Sequence, residues 1–275
     1  MGLRISTNIA SISAQRSLGI QQRRAEHGLA ALSSGSRITQ AADDAAGLAI
    51  SENIKSQARG LKMARNNAYN AISLIQTSEG GLNEINNILT RLRELGVQSA
   101  SDTVSDVERG FLNNEAEQLV QEADRIAQTT MFGNKKLLSG ENDELEYHVG
   151  AFAGPENVIA YKMKADATGG TLGYDSITVD SKDSARETLQ KVDDAIVKIG
   201  AMRADFGAVQ SRLNSTVSNL DIQHENISAA NARIRDADIA FEASEVASAN
   251  VLQSAAVNVL AQANTLPQQA MRLLQ

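Results

Sequence analysis

The 275-residue sequence contains no cysteine and no tryptophan, and aromatic residues make up only 3% of it. The absence of cysteine excludes disulfides, thiolate metal sites and thiol catalysis. A compact globular core normally relies on aromatic bulk, so its scarcity beside 42% hydrophobic residues favours long helices with narrow apolar contact rows. The expected fold class is therefore mainly α, with long helices packed as a coiled-coil rod.

Positive charge is also scarce, since the chain has a net charge of −7 and a pI near 5.1. Duplex binding depends on Lys and Arg side chains that neutralise phosphates, so this acidic balance argues against nucleic acid as a partner. The N-terminus lacks the continuous apolar core and cleavage site of a secretory signal. If the protein leaves the cytoplasm, we expect it to use another route.

The C-terminal tail has no charged residue between Glu245 and Arg272. Asn and Gln side chains interrupt this stretch, and each would need a hydrogen-bonding partner in lipid, so we predict no membrane span. Small and branched apolar residues instead recur at spacings of three and four, which predicts a helix that contacts another helix. This row consists of Ala249, Leu252, Ala256, Val259, Ala263, Leu266, Ala270 and Leu273. The other faces carry Ser, Asn and Gln, which suggests burial against further copies, and Pro267 is expected to kink or end the helix.

The N-terminal arm also carries a row of apolar residues, namely Ile5, Ile9, Ile12, Leu29 and Leu32. We expect the N- and C-terminal helices to pair with each other. Between them, helical spacing runs over residues 50–96, with a weak point at Gly80-Gly81, and again over 112–126 and 189–241. A phase slip then predicts a joint near residues 231–248.

Five segments of the chain match a known family in their sequences, in their order along the chain and in the spacing between them. They are RISTNIASISAQRSL, LSSGSRITQAADDAAGLAI, NAISLIQTSEGGLNEINNILTRLRELGVQSAS, ENISAANARIRDADIAFE and VLAQANTLPQQAMRLLQ. Together they closely resemble bacterial flagellins, over nearly all of residues 1–137 and 185–275. The resemblance implies a structural subunit of the flagellar filament, and two departures accompany it. The outer variable domains of longer flagellins are absent, and MFGNKKLL stands where the family usually has Phe-Asn-Gly.

The resemblance also implies a domain arrangement. Residues 1–43 and 232–275 correspond to the paired-helix domain called D0, which forms the inner tube of the filament. Residues 44–231 correspond to D1, a helical rod whose β-prone stretch at about 140–180 predicts a small hairpin region. The implied partners are further copies of the chain, sister flagellins, an export chaperone that binds the C-terminal arm, the filament cap and the hook-filament junction proteins. The implied route is type III export, and the implied location is the extracellular filament.

Charged residues near the joint have two interpretations. Asp43 and Asp44 could be catalytic or metal-binding carboxylates, but adjacent residues at a helix start face different directions, and capping of the helix is the simpler explanation. The resemblance implies that Arg37, Asp43 and Asp44 contribute to the joint and to contacts between subunits. Antiparallel arms with their ends in register would place Arg37 opposite about residue 239, where it could face Asp236, Asp238 or Glu242. A solvated charged face is the alternative.

The segment ILTRLRELGVQS resembles the D1 surface bound by the vertebrate toll-like flagellin receptor. By position, the residues of that surface are Leu89, Arg91, Glu94 and Glu115, and Thr90 stands where the family usually has Gln. The alternative is that Arg91 and Glu94 are only neighbours one helical turn apart.

No arrangement of residues in the sequence predicts catalysis. The three histidines, His27, His148 and His224, are scattered, and neither a phosphate loop nor a nucleophile elbow is present. We therefore predict no enzyme activity, no metal and no cofactor. The alternatives to a filament subunit are a hook-filament junction protein, which shares the arms, and a secreted adhesin with a helical stalk, for which the middle of the chain is short.

Overall fold

The computed structural model describes residues 7–140, 144–163 and 165–273, and for residues 266–273 it describes the backbone alone. Six helices lie within these residues: α1 (Ile9–Ser34), α2 (Ala45–Ser99), α3 (Asp106–Thr129), α4 (Gly169–Leu172), α5 (Lys182–Arg235) and α6 (Ile239–Leu273). Four short strands accompany them: β1 (Met131–Phe132), β2 (Lys135–Lys136), β3 (Glu144–His148) and β4 (Val158–Lys162). The mainly α fold with a small hairpin region is thus confirmed.

The chain divides into two compact units, one formed by residues 1–57 and 226–275 and the other by residues 58–225. In the first unit α1 and α6 lie side by side, with Cα atoms of the two helices within 8 Å of each other. They run antiparallel, since Asn8 at the start of α1 donates a hydrogen bond to the carbonyl of Ala263 near the end of α6 (2.8 Å). The predicted pairing of the terminal helices is confirmed.

The second unit has a continuous apolar core along its helices. Most of its buried side chains come from α2, α3 and α5, and these include Ile75, Leu82, Ile85, Leu89, Leu92, Ala116, Ala123, Val192, Ile199 and Phe206. The strands β3 and β4 pair antiparallel and turn Leu145 and Ile159 inward, while β1 and β2 form a smaller exposed hairpin. The Tyr161 and Phe206 rings lie 6.2 Å apart, which joins β4 to the core beside α5.

Local signals fix several helix ends. Ser105 and Glu108 form a capping box at the start of α3, and Gly35, with a φ of 69°, ends α1 in the left-handed conformation that favours glycine. The break between α5 and α6 at residues 236–238 falls within the range in which we predicted a joint.

Helix α2 runs through Gly80-Gly81 as one long helix, as predicted, and the neighbouring turns are packed in the core. Two local predictions differ from the structure. Helix α6 continues past Pro267 to Leu273, so the proline does not end it. Residues 169–172, which lie in the β-prone stretch predicted to form the hairpin region, instead form the single helical turn α4, which Gly173 closes with a φ of 87°.

Across the part of the chain that the structure describes, no helix combines the length and the apolar character needed to cross a membrane.

Candidate assembly surface

Small residues on α1 form its contact with α6. The buried positions of α1 are Ser11, Ala14, Ala25, Gly28 and Ala31. A Cβ atom added to Gly28 would lie only 2.5 Å from Cγ2 of Val246 on α6, so glycine is needed for this approach. Glycine and alanine let two helix backbones come close, and this explains the short distance between the helices.

On α6 the alanines predicted to contact another helix are indeed the buried ones. The larger residues beside them in the contact lie one position later in the sequence than those predicted. Ala249 and Ala263 are buried and Ala256 is half-buried, as expected for a contact with α1. The positions beside them that face α1 are Val246, Gln253 and Leu260, which are buried or half-buried. Leu252 and Val259, predicted for this role, are instead 45% and 58% exposed.

The predicted apolar row of α1 is largely exposed in the same way. Ile9 and Leu29 are 63% and 55% exposed, Ile12 is exposed, and Leu32 is half-buried. Within one chain, therefore, the small residues of α1 and not these larger ones make the contact with α6. Ile5 lies outside the described residues, as does the side chain of Leu266.

The two arm helices thus present large apolar side chains to solvent on both sides of their contact. We call this set the exposed arm face; it consists of Ile9, Ile12, Ile20 and Leu29 on α1, and Phe241, Val251, Leu252, Val257 and Val259 on α6. Part of it borders a groove of about 530 Å³, where Ile20 and Phe241 lie among Arg23, Arg24, His27, Glu242 and Glu245. Several large apolar side chains exposed along a pair of helices are typical of interaction surfaces.

Backbone hydrogen bonds hold the joint between α1 and α6. The amide of Arg37 donates to the carbonyl of Arg235 (2.7 Å), and the amide of Ala237 donates to the carbonyl of Gly35 (3.0 Å). Ser36 and Asp236 lie opposite each other in this two-stranded bridge. The Arg37 guanidinium donates to the carbonyl of Ile234 (2.8 Å), so its recorded partner is a backbone group rather than the acidic side chains predicted there. Its nearest carboxylate is that of Asp44, at 3.9 Å.

The two adjacent aspartates of the joint have different roles. Asp44 caps α2, because its carboxylate accepts from the amide of Gly47 (2.8 Å). Asp43 folds back on the preceding loop and accepts hydrogen bonds from the amides of Thr39 and Gln40, both at 3.0 Å, while its other oxygen lies 3.3 Å from His27 Nε2. Burial by itself raises the pKa of Asp43, but the hydrogen bonds from Gln40 and Thr39 outweigh it and lower the pKa to about 2.

Asp238 acts at the start of α6. Its carboxylate accepts from the amides of Ala240 (3.0 Å) and Phe241 (3.2 Å), which are two of the unpaired donors at that helix end. Sequence analysis placed Asp238 opposite Arg37, yet capping of α6 is the contact that the structure gives it.

Three of the four residues predicted for a receptor-like surface come together. Arg91 donates to Glu94 one turn away (2.9 Å) and to Glu115 on α3 (2.9 Å), and all three side chains are exposed. Leu89 is fully buried in the core of its unit and therefore does not belong to this exposed cluster. The prediction included Leu89 because its position matches the receptor-bound surface of the family, and that resemblance does not show which residues of the segment are buried.

Among the residues described, no group of three or more acidic or His side chains comes together as metal ligands. His27 instead contacts Asp43, as described above.

Sequence analysis missed Gly28 and Gln21, which lie on the buried side of α1. A signal for that side existed: Ser11, Ala14, Leu18, Gln21, Ala25 and Gly28 follow the same spacings of three and four as the larger residues. The larger apolar residues drew the prediction to the other face.

Two family descriptions match the chain. "Bacterial flagellin N-terminal helical region" covers residues 5–143, and "Bacterial flagellin C-terminal helical region" covers residues 189–274. Among similar proteins, a flagellin of Halalkalibacterium halodurans is 41% identical, with 98% of this chain and 99% of that protein covered. The flagellar filament core protein flaB2 of Brachyspira hyodysenteriae is 39% identical over 98% of this chain and 99% of its own length.

Solved structures give the same picture at the level of the fold. The crystal structure of Bacillus cereus flagellin matches with a TM-score of 0.51 and 28% identity, covering 60% of this chain and 94% of that one. A putative flagellar hook-associated protein from Vibrio parahaemolyticus matches with a TM-score of 0.60, covering 70% of this chain and all of that one. Its identity of 13% supports a shared fold alone.

Proposed function

This chain belongs to the bacterial flagellin family and is a structural subunit of the flagellar filament, and from that premise we propose that the exposed arm face drives its polymerisation. The observation that carries the proposal is the solvent exposure of large apolar side chains on α1 and α6, such as Leu252 and Val259. Burial of one such side chain contributes roughly 1.5–3 kcal/mol, so a neighbour that covers several of them offsets the cost of ordering the arms.

The arms are suited to this role because their two faces differ. The small residues around Gly28 and Ala249 face each other within one chain. The larger apolar residues face outward, where only another molecule can cover them. We take Ile5 and Leu266, predicted from the sequence, to belong to the same assembling arms.

The domain assignment is part of the proposal. Residues 1–43 and 232–275 act as the inner, D0-like domain, and residues 44–231 act as the D1-like shell. Support comes from the resemblance described above and from the antiparallel pairing of α1 with α6. Arg37, Asp43, Asp44, Asp236 and Asp238 then lie at the junction of the two domains, where we expect them to meet neighbouring subunits.

Assembly tests the proposal directly. Purified protein mixed with short filament fragments should form long tubular filaments of uniform diameter, visible by electron microscopy and recovered by sedimentation. The double substitution Leu252→Asn with Val259→Asn should abolish this growth, because an uncovered amide would enter the contact between subunits.

Val197→Asn is the matched control, since Val197 is similarly exposed but lies on α5 in the second unit. The control should grow filaments as the wild type does. Normal growth of the Leu252 and Val259 double variant would contradict the proposal, whereas persistent monomers of the wild type would favour a hook-filament junction protein.

Further partners follow from the filament role. An export chaperone would cover the apolar face of α6 before assembly, because an exposed face of this kind promotes aggregation in the cell. The filament cap, the hook-filament junction proteins and sister flagellins would meet the same arms at the filament ends. The chain would leave the cell through the flagellar type III channel and act extracellularly.

The exposed cluster of Arg91, Glu94 and Glu115 is proposed as the contact for the vertebrate toll-like flagellin receptor. In a reporter-cell assay with monomeric protein, Arg91→Ala should weaken receptor activation. Arg93→Ala is the matched control, because Arg93 is equally exposed on the same helix and pairs with Asp193 (2.8 Å). An equal loss of receptor activation in both variants, or no loss in Arg91→Ala, would contradict this contact.

A further inference from the structure

One buried polar atom lies in the contact between α1 and α6. Oε1 of Gln21 is shielded from solvent and has no hydrogen-bond partner within the described part of the chain. Buried amide oxygens nearly always accept a hydrogen bond, so we expect a group on the facing helix to donate one to Gln21 Oε1.

The register of the two helices identifies that donor. Gly28 faces Val246, and Asn8 reaches the carbonyl of Ala263 one turn beyond Ser11. Steps of three and four residues in opposite directions along two antiparallel helices give these opposed pairs: Ala25 with Ala249, Gln21 with Gln253, Leu18 with Ala256, Ala14 with Leu260 and Ser11 with Ala263. Gln253, half-buried on α6, is therefore the residue opposite Gln21.

We infer that Gln21 and Gln253 form a polar layer that fixes the register of the two arms, with the Gln253 side-chain amide donating to Gln21 Oε1. The orientation of a side-chain amide is set by its hydrogen bonds, so the inferred bond requires the Gln253 side chain to turn its amide nitrogen toward Gln21 Oε1.

The alanines of the contact specify register weakly, so the polar layer acts beside the backbone hydrogen bonds of the joint and the close approach at Gly28. Ala249, Ala256 and Ala263 recur every seven residues, so a shift of one heptad would place one alanine where another had been. The same shift would place Gln21 opposite Val246 or Leu260 and leave its amide without a partner. A single polar pair in an apolar helix contact acts in this way in coiled coils, where it selects one register at some cost in stability.

This inference concerns the pairing of the arms within one chain and does not depend on polymerisation. It assigns to two glutamines a share in deciding which turn of the C-terminal helix meets which turn of the N-terminal helix, in addition to the joint and to Gly28. The exposed arm face is displayed in one arrangement only if that register is unique.

Introduced cysteines can measure the register, because the chain has none of its own. Ala25→Cys with Ala249→Cys reports the observed register, and Ala25→Cys with Ala256→Cys reports a shift of one heptad. Each pair is oxidised in the dilute full-length protein, in the wild-type background and in a Gln21→Leu, Gln253→Leu background, and intrachain disulfide is followed on non-reducing gels.

In the wild-type background the first disulfide should form faster than the second by at least about tenfold, the ratio produced by roughly 1.4 kcal/mol. In the double-leucine background that preference should fall severalfold, because the polar layer no longer adds its free-energy difference to those of the joint and of Gly28. An unchanged preference would overturn the inference. The inference would also be overturned if the wild-type background formed the two disulfides at equal rates. It would be overturned as well if the double-leucine background formed neither disulfide, since the amides would then be needed for the pairing of the helices itself.

Single substitutions separate register from simple packing. Gln21→Leu or Gln253→Leu leaves the other amide buried without its partner, so amide hydrogen exchange in the arms should accelerate in each. The double substitution should restore slow exchange, because no unpaired amide remains. Additive acceleration in the double variant would show that each glutamine acts alone and would overturn the pairing.

Discussion

At the scale of single residues, Asp43 connects the loop before α2 to the acid stability of the first unit. Its carboxylate accepts hydrogen bonds that exist in full only when it is ionised, which is why its pKa lies at about 2 and not at the ordinary 3.8. A folded-state pKa below the unfolded one stabilises the protein above the unfolded value and loses that effect as the pH falls through the folded value.

We therefore predict that the contribution of Asp43 is complete above pH 4 and is lost between about pH 4 and pH 2. Asp43→Asn keeps the size of the side chain but removes the charge, so it should lower stability at neutral pH and flatten the acid dependence in that window. Chemical unfolding at a series of pH values, followed in the arms by hydrogen exchange, measures both effects. Asp183→Asn, at a carboxylate 93% exposed on α5, serves as the control; a variant at Asp43 that keeps the wild-type acid dependence would show the prediction to be wrong.

The sequence predicted the role of one of the two adjacent aspartates. Asp44 precedes a long helical pattern, and capping depends only on such local neighbours, so its role could be predicted. Asp43 depends on how the loop from Thr39 folds back and on where His27 lies, and neither is visible in a linear pattern.

At the scale of elements, the sequence predicted that α1 pairs with α6, but it predicted only some of the residues through which the two helices contact each other. A row spaced by three and four residues can be read with either Leu252 or Gln253 beside the alanines. Hydrophobicity favours Leu252, yet the structure places Gln253 in the contact. Which side is buried depends on the facing helix, and there Gly28 admits Val246 where a larger residue would not.

Gly28→Ala should push α1 and α6 apart, because the new methyl group would lie 2.5 Å from Val246 Cγ2. Overpacking of this kind costs about 1–3 kcal/mol. Hydrogen exchange along both arms should accelerate, and growth of filaments should slow.

Gly19→Ala is the matched control on the same helix, since a Cβ there meets nothing within 4 Å. Its expected effect is a stabilisation of about 0.5–1 kcal/mol, from the higher helix propensity of alanine. If both variants behaved alike, the close approach at Gly28 would not be what limits the distance between the arms.

The two adjacent glycines of α2 allow a second comparison of the same type. A Cβ at Gly81 would lie 2.8 Å from both Leu138 Cδ1 and Thr130 Oγ1, whereas a Cβ at Gly80 meets nothing within 4 Å. Gly81→Ala should therefore lower the thermal stability of the second unit, while Gly80→Ala should raise it by about 0.5–1 kcal/mol. Calorimetry on the two variants distinguishes this from a flexible hinge, in which either alanine would stabilise the helix.

At the scale of the whole molecule, the division into two units predicts that assembly and folding can be separated. The apolar core of the second unit draws its side chains from residues 68–217 and includes none from the arms. Deletion of residues 246–275 removes the partner of α1 but leaves that core intact.

The truncated chain should therefore keep a cooperative thermal transition for the second unit, measured by circular dichroism, and should fail to extend filament seeds. If the deletion variant still polymerised, the C-terminal arm would not be required for assembly. Loss of the thermal transition would instead show that the second unit needs the arms in order to fold.

The overall class of the molecule was more predictable than its contacts between copies. Scarce aromatics, heptad spacing and five ordered segments indicate a helical flagellin, and identities of 39–41% over nearly the whole chain agree with that. Which side chains meet a neighbouring subunit depends on a second molecule, so Ile9, Leu29 and the rest of the exposed arm face remain predictions.

The hydrogen bond from Asn8 to Ala263 joins residues 255 positions apart in the chain. Contacts of such high sequence separation form late, because a long loop must close before they contribute any stability. A chain made or threaded from its N-terminus thus emerges with α1 unpaired and keeps it so until α6 is free. The timing of arm pairing is set by the arrival of α6, which makes the release of this late helix the signal that the subunit is ready to dock.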